Sequence, residues 1–422
     1  MNYSRSFLAA TLLAAALHIC SVSAVFGADN WPGFRGADGL GVVSAEDAKN
    51  LPTEFDGPSG KLIRWKTPLL LPGESSPIVA GGRVFLTGAD AAKKTLYCYA
   101  ADNGKLLWQK NIDTGAKNPG DPGDEPPLAG RAAPTPASDG QRVVALFGNG
   151  DLAAFDLEGK QLWARNLGVP ESGYGFASSP IVHGGHVIVQ FDQGTDATEV
   201  ESSLLAIDIA TGKNAWATKR PVHASWSTPI VITARDKTQI ITVAEPLVIA
   251  YQFDTGAELW RAECLGRDIA PSATSADGIV YATVARNALT AIKADGKGDV
   301  TKTHIVWKNE DDIWPEVPSP VTNGKQIFLA LDLGSLAAYD AAKGKQLWEL
   351  DRHTEFRSSP TLVGDQIWVF DRKGVLHRAS AGAEAKILGT ANLGEKTDAQ
   401  PAYAGSRIYV RGKSNLYCIG SK

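Results

Sequence analysis

Short runs of alternating apolar and polar residues follow one another along most of the chain, each cut off by glycine or a polar turn, as in Gly82-Arg83-Val84-Phe85-Leu86 and Gln366-Ile367-Trp368-Val369-Phe370. A period of two predicts half-buried β-strands. A phrase of small residues, proline and an apolar residue punctuates them. It stands at Ser75-Ser76-Pro77-Ile78, Pro134-Thr135-Pro136-Ala137, Ser178-Ser179-Pro180-Ile181 and Ser227-Thr228-Pro229-Ile230. It returns at Ile269-Ala270-Pro271, Pro318-Ser319-Pro320-Val321, Ser358-Ser359-Pro360-Thr361 and Ala399-Gln400-Pro401-Ala402, which makes eight copies. Their prolines lie 40 to 59 residues apart, close to the roughly 40–50 residues of a four-stranded propeller blade.

Six of the copies end in a tight turn and a strand carrying tryptophan, most fully in the stretch from Ala206 through Asp208, Thr211, Gly212 and Lys213 to Trp216. Gly212 supplies the positive φ of the turn and Asp208 an acceptor for its amides, which fixes the register and so places the indole. The frame repeats at Trp108, Trp163, Trp260 and Trp348 and, after an insertion, at Trp307. Such a ring packed flat on the next blade buries on the order of 200 Å², so these tryptophans are expected to be structural. No tryptophan follows Val375-Leu376-His377-Arg378, and that junction is expected to be the weakest. The eighth copy reaches only Asn415-Leu416-Tyr417-Cys418-Ile419, and Leu62-Ile63-Arg64-Trp65-Lys66 carries the missing pattern before the first copy. The N-terminal strand with Trp65 should therefore complete the last blade and remove the open edges.

The prediction is an all-β, eight-bladed β-propeller. Residues 1–28 read as a signal peptide, 29–61 as an N-terminal extension capping the propeller, and 62–422 as the propeller, with 62–66 as its closing strand. Arg5, the apolar run from Phe7 to Ile19 and small residues at Ala24, Gly27 and Ala28 carry the export reading. The chain is expected to be periplasmic or secreted and monomeric, without a transmembrane segment after signal removal. Cys20 lies within the signal without the small residue that a lipid-anchored cysteine needs before it. Beyond it stand only Cys98, Cys264 and Cys418, with no CxxC spacing, so buried free thiols are expected. The 422 residues carry a formal net charge of −4, and nucleic acid is not an expected partner.

The frame of residues 206–216 resembles the tryptophan-docking motif of the quinoprotein dehydrogenase superfamily, and Trp31-Pro32-Gly33-Phe34-Arg35-Gly36 resembles the opening of those enzymes. Exported relatives without a dehydrogenase assignment, the BamB-type outer-membrane assembly factors, share the repeat. For the enzymes the resemblance implies pyrroloquinoline quinone, calcium, a stacking tryptophan, an aspartate base and a roof of two adjacent cysteines. That cysteine pair is absent from the sequence. The favoured expectation is therefore a non-catalytic scaffold binding a protein of the cell envelope, with no cofactor. The alternatives are a quinoprotein alcohol or sugar dehydrogenase and a small-molecule or carbohydrate binding module.

Innermost strands line a propeller's axial channel, so residues just before each proline should ring one mouth. Glu74, Arg131, Phe176, Trp226, Asp268, Glu316, Arg357 and Asp398 are the candidate ligand or partner residues, with Trp314 as a further aromatic anchor. Trp31 and Phe34 are expected to plug the opposite end. No catalytic or metal residues are predicted. His183 and His186 flank the turn Gly184-Gly185 without a third ligand, and the acidic stretch Asp121-Pro122-Gly123-Asp124-Glu125 matches no EF-hand spacing.

Overall fold

A computed structural model describes residues 29–115, 127–195, 201–266, 268–285, 287–311 and 315–421. These form eight sheets whose four blade strands are antiparallel, and in seven of them the chain passes from inner to outer edge and then to the next sheet. The blades run from Ile78–Ala80 to Leu106–Asn111, Ala137–Ser138 to Gln161–Asn166, Ile181–His183 to Asn214–Arg220 and Ile230–Ala234 to Glu258–Glu263. They continue from Thr274–Ala276 to Ile305–Asn309, Val321–Thr322 to Gln346–Asp351 and Thr361–Val363 to Ile387–Asn392. The eighth blade starts at Ala402–Ala404, and its outermost strand is Ile63–Pro68, which pairs Trp65 with Cys418 of Asn415–Ile419.

A closed circuit of hydrogen bonds joins the innermost edges. The amide of Ser76 donates to Thr135 Oγ1, Thr135 to Ser179 Oγ, Ser179 to Thr228 Oγ1 and Thr228 to Ser272 Oγ, each at 3.0 Å. Ser272 then donates to Ser319 Oγ, Ser319 to Ser359 Oγ and Gln400 to Ser76 Oγ, at 2.9, 2.8 and 3.0 Å. With the Gln400 side-chain amide turned so that its oxygen faces Ser359, that oxygen accepts from Ser359 and closes the circuit. The circuit corrects the frame in the fifth blade. There the conserved geometry falls on Ser272 and Ala273, so Pro271 stands two residues early and Asp268 is not the counterpart of Trp226 or Arg357.

The indoles meet the neighbouring blade through one repeated contact. Nε1 donates to the carbonyl just beyond that blade's third strand: Trp65 to Ala101, Trp108 to Leu157, Trp163 to Ile209, Trp216 to Phe253 and Trp307 to Ala341, at 2.9–3.1 Å. Trp348 reaches Gly382 instead, at 2.9 Å. Trp260 differs because Gly298–Asp299, in the insertion of the fifth blade, pairs alongside it. Its Nε1 donates to Gln239 Oε1, and Gln239 Nε2 relays to Ala294. Directly across the sheet from each indole stands a small residue, such as Ala206 opposite Trp216, Cys98 opposite Trp108 and Cys418 opposite Trp65. That explains two of the three buried free thiols.

Residues 31–43 cross one end of the channel and touch every blade. Trp31 exchanges backbone bonds with Val79 and stacks edge-on with Tyr403 at 5.4 Å. Pro32 accepts from Ser138, Asp38 pairs with His183 at 3.0 Å, and Gly39 lies on Ile230. Arg35, 2% exposed, donates to the carbonyls of Ala273 and Pro320, and Val42–Val43 run parallel to Leu362 and Val363. No carboxylate faces this guanidinium among its described partners, and burial pulls its pKa down to about 9.

Candidate functional site

At the end of the channel away from Arg35 opens a cavity of about 920 Å³. Phe34 and the hydroxyl circuit line its depth, and loops before the inner strands form its rim. Of the residues expected there, Glu74, Trp226, Asp268, Glu316, Arg357 and Asp398 line it together. Phe176 does not. It is 3% exposed and packs on Phe191 at 4.9 Å, because the chain turns inward at Gly175 and spends this ring on the core between the second and third blades. Arg131 is half-buried outside the lining, on the loop that carries Leu128. Trp314, the stretch 121–125 and the expected signal at 1–28, including Cys20, lie outside the described residues.

A buried polar cluster sets the Trp226 loop. Ser225 donates to Asp192 at 2.7 Å, and Asp192 receives Arg220 at 2.7 and 3.0 Å with both side chains fully buried. Breaking such a pair from one side strands a buried charge, so the loop has little freedom. Trp226 Nε1 then donates to Ser172 Oγ at 3.0 Å, and Tyr174 meets its ring edge-on at 4.6 Å. Across the rim, Arg372 pairs with Asp398 and Glu355 at 2.8 and 2.9 Å, and these carboxylates raise its pKa. Burial, with Glu316 nearby, raises the Asp332 carboxyl. Arg411 is sunk behind Glu74, where burial lowers it to about 10 while it donates to Ser75 Oγ and the Thr87 carbonyl.

A second hollow of about 750 Å³ shares Glu74 and Asp398 with the first and adds Lys373, Lys396, Lys413 and Leu333. Sequence reasoning missed three side chains on this face: Leu128, Tyr174 and Leu333 are 75%, 43% and 81% exposed. The available signal was an apolar residue inside a turn, as in Asp332-Leu333-Gly334, where alternation has no claim on it. Among the described residues no group of three or more His, Cys, Asp or Glu is placed to hold a metal ion, and no helix is long and apolar enough to cross a membrane.

The family model described as outer membrane protein assembly factor BamB matches residues 28–233, 201–310 and 299–384. The chain belongs to this family. A BamB-family relative, the outer membrane protein assembly factor BamB of Yersinia pestis, is 24% identical over 346 residues, covering 79% of this chain and 70% of that protein. The crystal structure of BamB from Moraxella catarrhalis superposes with a TM-score of 0.61 at 18% identity, covering 85% of this chain and 97% of that one. Enzymes share the architecture. A europium-containing methanol dehydrogenase gives 0.66 at 12% identity over 93% and 98% of the chains, and the quinohemoprotein alcohol dehydrogenase from Comamonas testosteroni 0.67 at 13% over 93% and 81%. At these identities the likeness establishes the propeller and leaves the activity to the site.

The quinone implied by the dehydrogenase resemblance does not fit this BamB-family site. Pyrroloquinoline quinone carries three carboxylates, whereas the described lining sets Glu74, Asp268, Glu316 and Asp398 against Arg357. The cysteines that would have to roof it are buried inside blades, where burial raises all three thiols to about 12.

Proposed function

We propose that this BamB-family chain is an exported, non-catalytic scaffold that docks an envelope protein on the face around the channel mouth. The observation that carries this reading is the exposure of three apolar side chains, Leu128, Tyr174 and Leu333, on the face that also holds Trp226 and the charged rim. Large apolar groups left in water at a polar rim are the usual mark of a docking surface. Membership of the BamB family supports a partner in outer-membrane protein assembly and a periplasmic location beside that membrane. Glu74, Trp226, Asp268, Glu316, Arg357 and Asp398 are assigned to recognition, and residues 29–61 to capping.

Site-specific photo-crosslinkers at Leu128 and Leu333 should trap a component of the outer-membrane assembly machinery in cells, while one at Leu107, on an outer strand of the first blade, should not. Equal trapping at all three positions overturns the assignment of this face. Robust dye reduction by purified protein supplied with pyrroloquinoline quinone and calcium overturns the non-catalytic reading.

A further inference from the structure

The depth of the cavity carries chemistry that does not rest on the docking reading. Ser76, Thr135, Ser179, Thr228, Ser272 and Ser319 line it and are each more than nine-tenths buried. Each oxygen already accepts an amide of the adjacent blade. None of the six O–H groups has an acceptor among the described residues, so six buried donors converge on the lumen. Asn287, in the same lining, adds a buried Oδ1 with no partner. A hydroxyl that only accepts keeps its donor unused, and leaving a buried donor unused costs free energy, so six of them around one lumen point to an acceptor held there.

We infer that the axial cavity binds a neutral, polyhydroxylated ligand of saccharide type. A metal ion or an ammonium group offers no acceptor to the six hydroxyls. A polycarboxylate offers acceptors but meets the four lining carboxylates. A sugar hydroxyl both donates and accepts, so one uncharged molecule can satisfy the hydroxyls below and the carboxylates of Glu74 and Asp268 above. Trp226 and Tyr174 give its C–H faces an apolar wall at the rim. The volume of about 920 Å³ lies within the roughly 300–1,000 Å³ of ordinary ligand pockets.

The test is calorimetric titration of the whole protein with glucose, N-acetylglucosamine and maltose, beside citrate and putrescine. The expected result is saturable binding of at least one saccharide and none of citrate or putrescine. Ala177→Trp fills the lumen without removing a hydrogen bond of the circuit, and should weaken saccharide binding at least about tenfold. Trp226→Ala should weaken it as well, and decides the matter if the filled variant does not fold. Absence of saturable saccharide binding means that water alone satisfies the hydroxyls, and overturns the inference. So does binding of citrate or putrescine in place of the sugars, or saccharide affinity that neither variant changes. Crosslinking at Leu333 should survive Ala177→Trp, so loss of the partner reading and loss of the ligand reading remain separable.

Discussion

Trp216 in the third blade and Arg378 in the seventh fill the same gap between blades by opposite means. In the third, a small residue of the third strand, Ala206, faces a large one on the outer strand, and the indole docks on the fourth blade through the carbonyl of Phe253. In the seventh the sizes are exchanged: Arg378 faces Gly389, and its guanidinium lies over Trp368 at 5.8 Å while bonding to Gln366 Oε1 and the Leu388 carbonyl. The rest of the space is taken by a distant segment. Phe55 and Leu51, 3% and 6% exposed, enter the core shared by the seventh, eighth and first blades, with Phe55 stacked on Phe370 at 6.2 Å. What the fold requires at a junction is filled volume, because interiors are close-packed, and not a particular residue. The junction without a tryptophan is thus occupied by the N-terminal extension.

The sharpest way to break this comparison is Phe55→Ala, which should cost about 3–5 kcal/mol as a cavity with no local means of collapse. Urea denaturation measures it, and a loss below about 1 kcal/mol would mean that the extension does not hold the junction. Trp216→Ala, at a half-buried ring, should cost less, about 2–3 kcal/mol. If it costs more than Phe55→Ala, docking indoles outweigh the extension after all. The turns under the rings differ too. Gly256 has φ +69°, and a Cβ there would lie 2.4 Å from Trp216 Cε3, whereas at Gly382, beneath Trp348, the nearest atom is 4.0 Å away. Gly256→Ala should cost about 1–3 kcal/mol and Gly382→Ala stay within about 0.5 kcal/mol.

The smallest effect expected is a dependence on acid. Asp371 in the seventh blade is buried, which pulls its carboxyl up, but bonds from His377, the Val375 amide and Thr354 outweigh burial and hold it below the usual range. Its ionised form is therefore favoured in the folded state. The stability it adds is present above the unfolded value near about 4 and is lost as pH falls through the lower folded value. Asp371→Asn should flatten the acid limb of the urea midpoint between about pH 3 and 5, and an unchanged limb would show that the carboxylate adds nothing.

The blade count, the strand order and the closing strand were legible because they follow from local rules repeated eight times. Alternation marks the strands, and glycine turns such as Gly184-Gly185 and Gly212 mark many of the hairpins. Reading failed where one copy departs from its siblings. A proline two residues out of register misplaced Asp268, and Gly298–Asp299 gave Trp260 a partner, Gln239, that no spacing announces. Of the rim, six expected residues share the cavity, but Phe176 was lost to the core because its loop turns inward, which is a property of the loop's path.

The sequence by itself determined the repeating unit, since strand period and turn chemistry depend on residues a few positions apart. Only the tertiary structure decided what closure creates. Arg35 reaches the Pro320 carbonyl 285 positions away, the circuit returns from Gln400 to Ser76, and six hydroxyls are left facing one lumen. Such contacts join residues that meet only once the ring has closed, and no local pattern carries the curvature that brings them together.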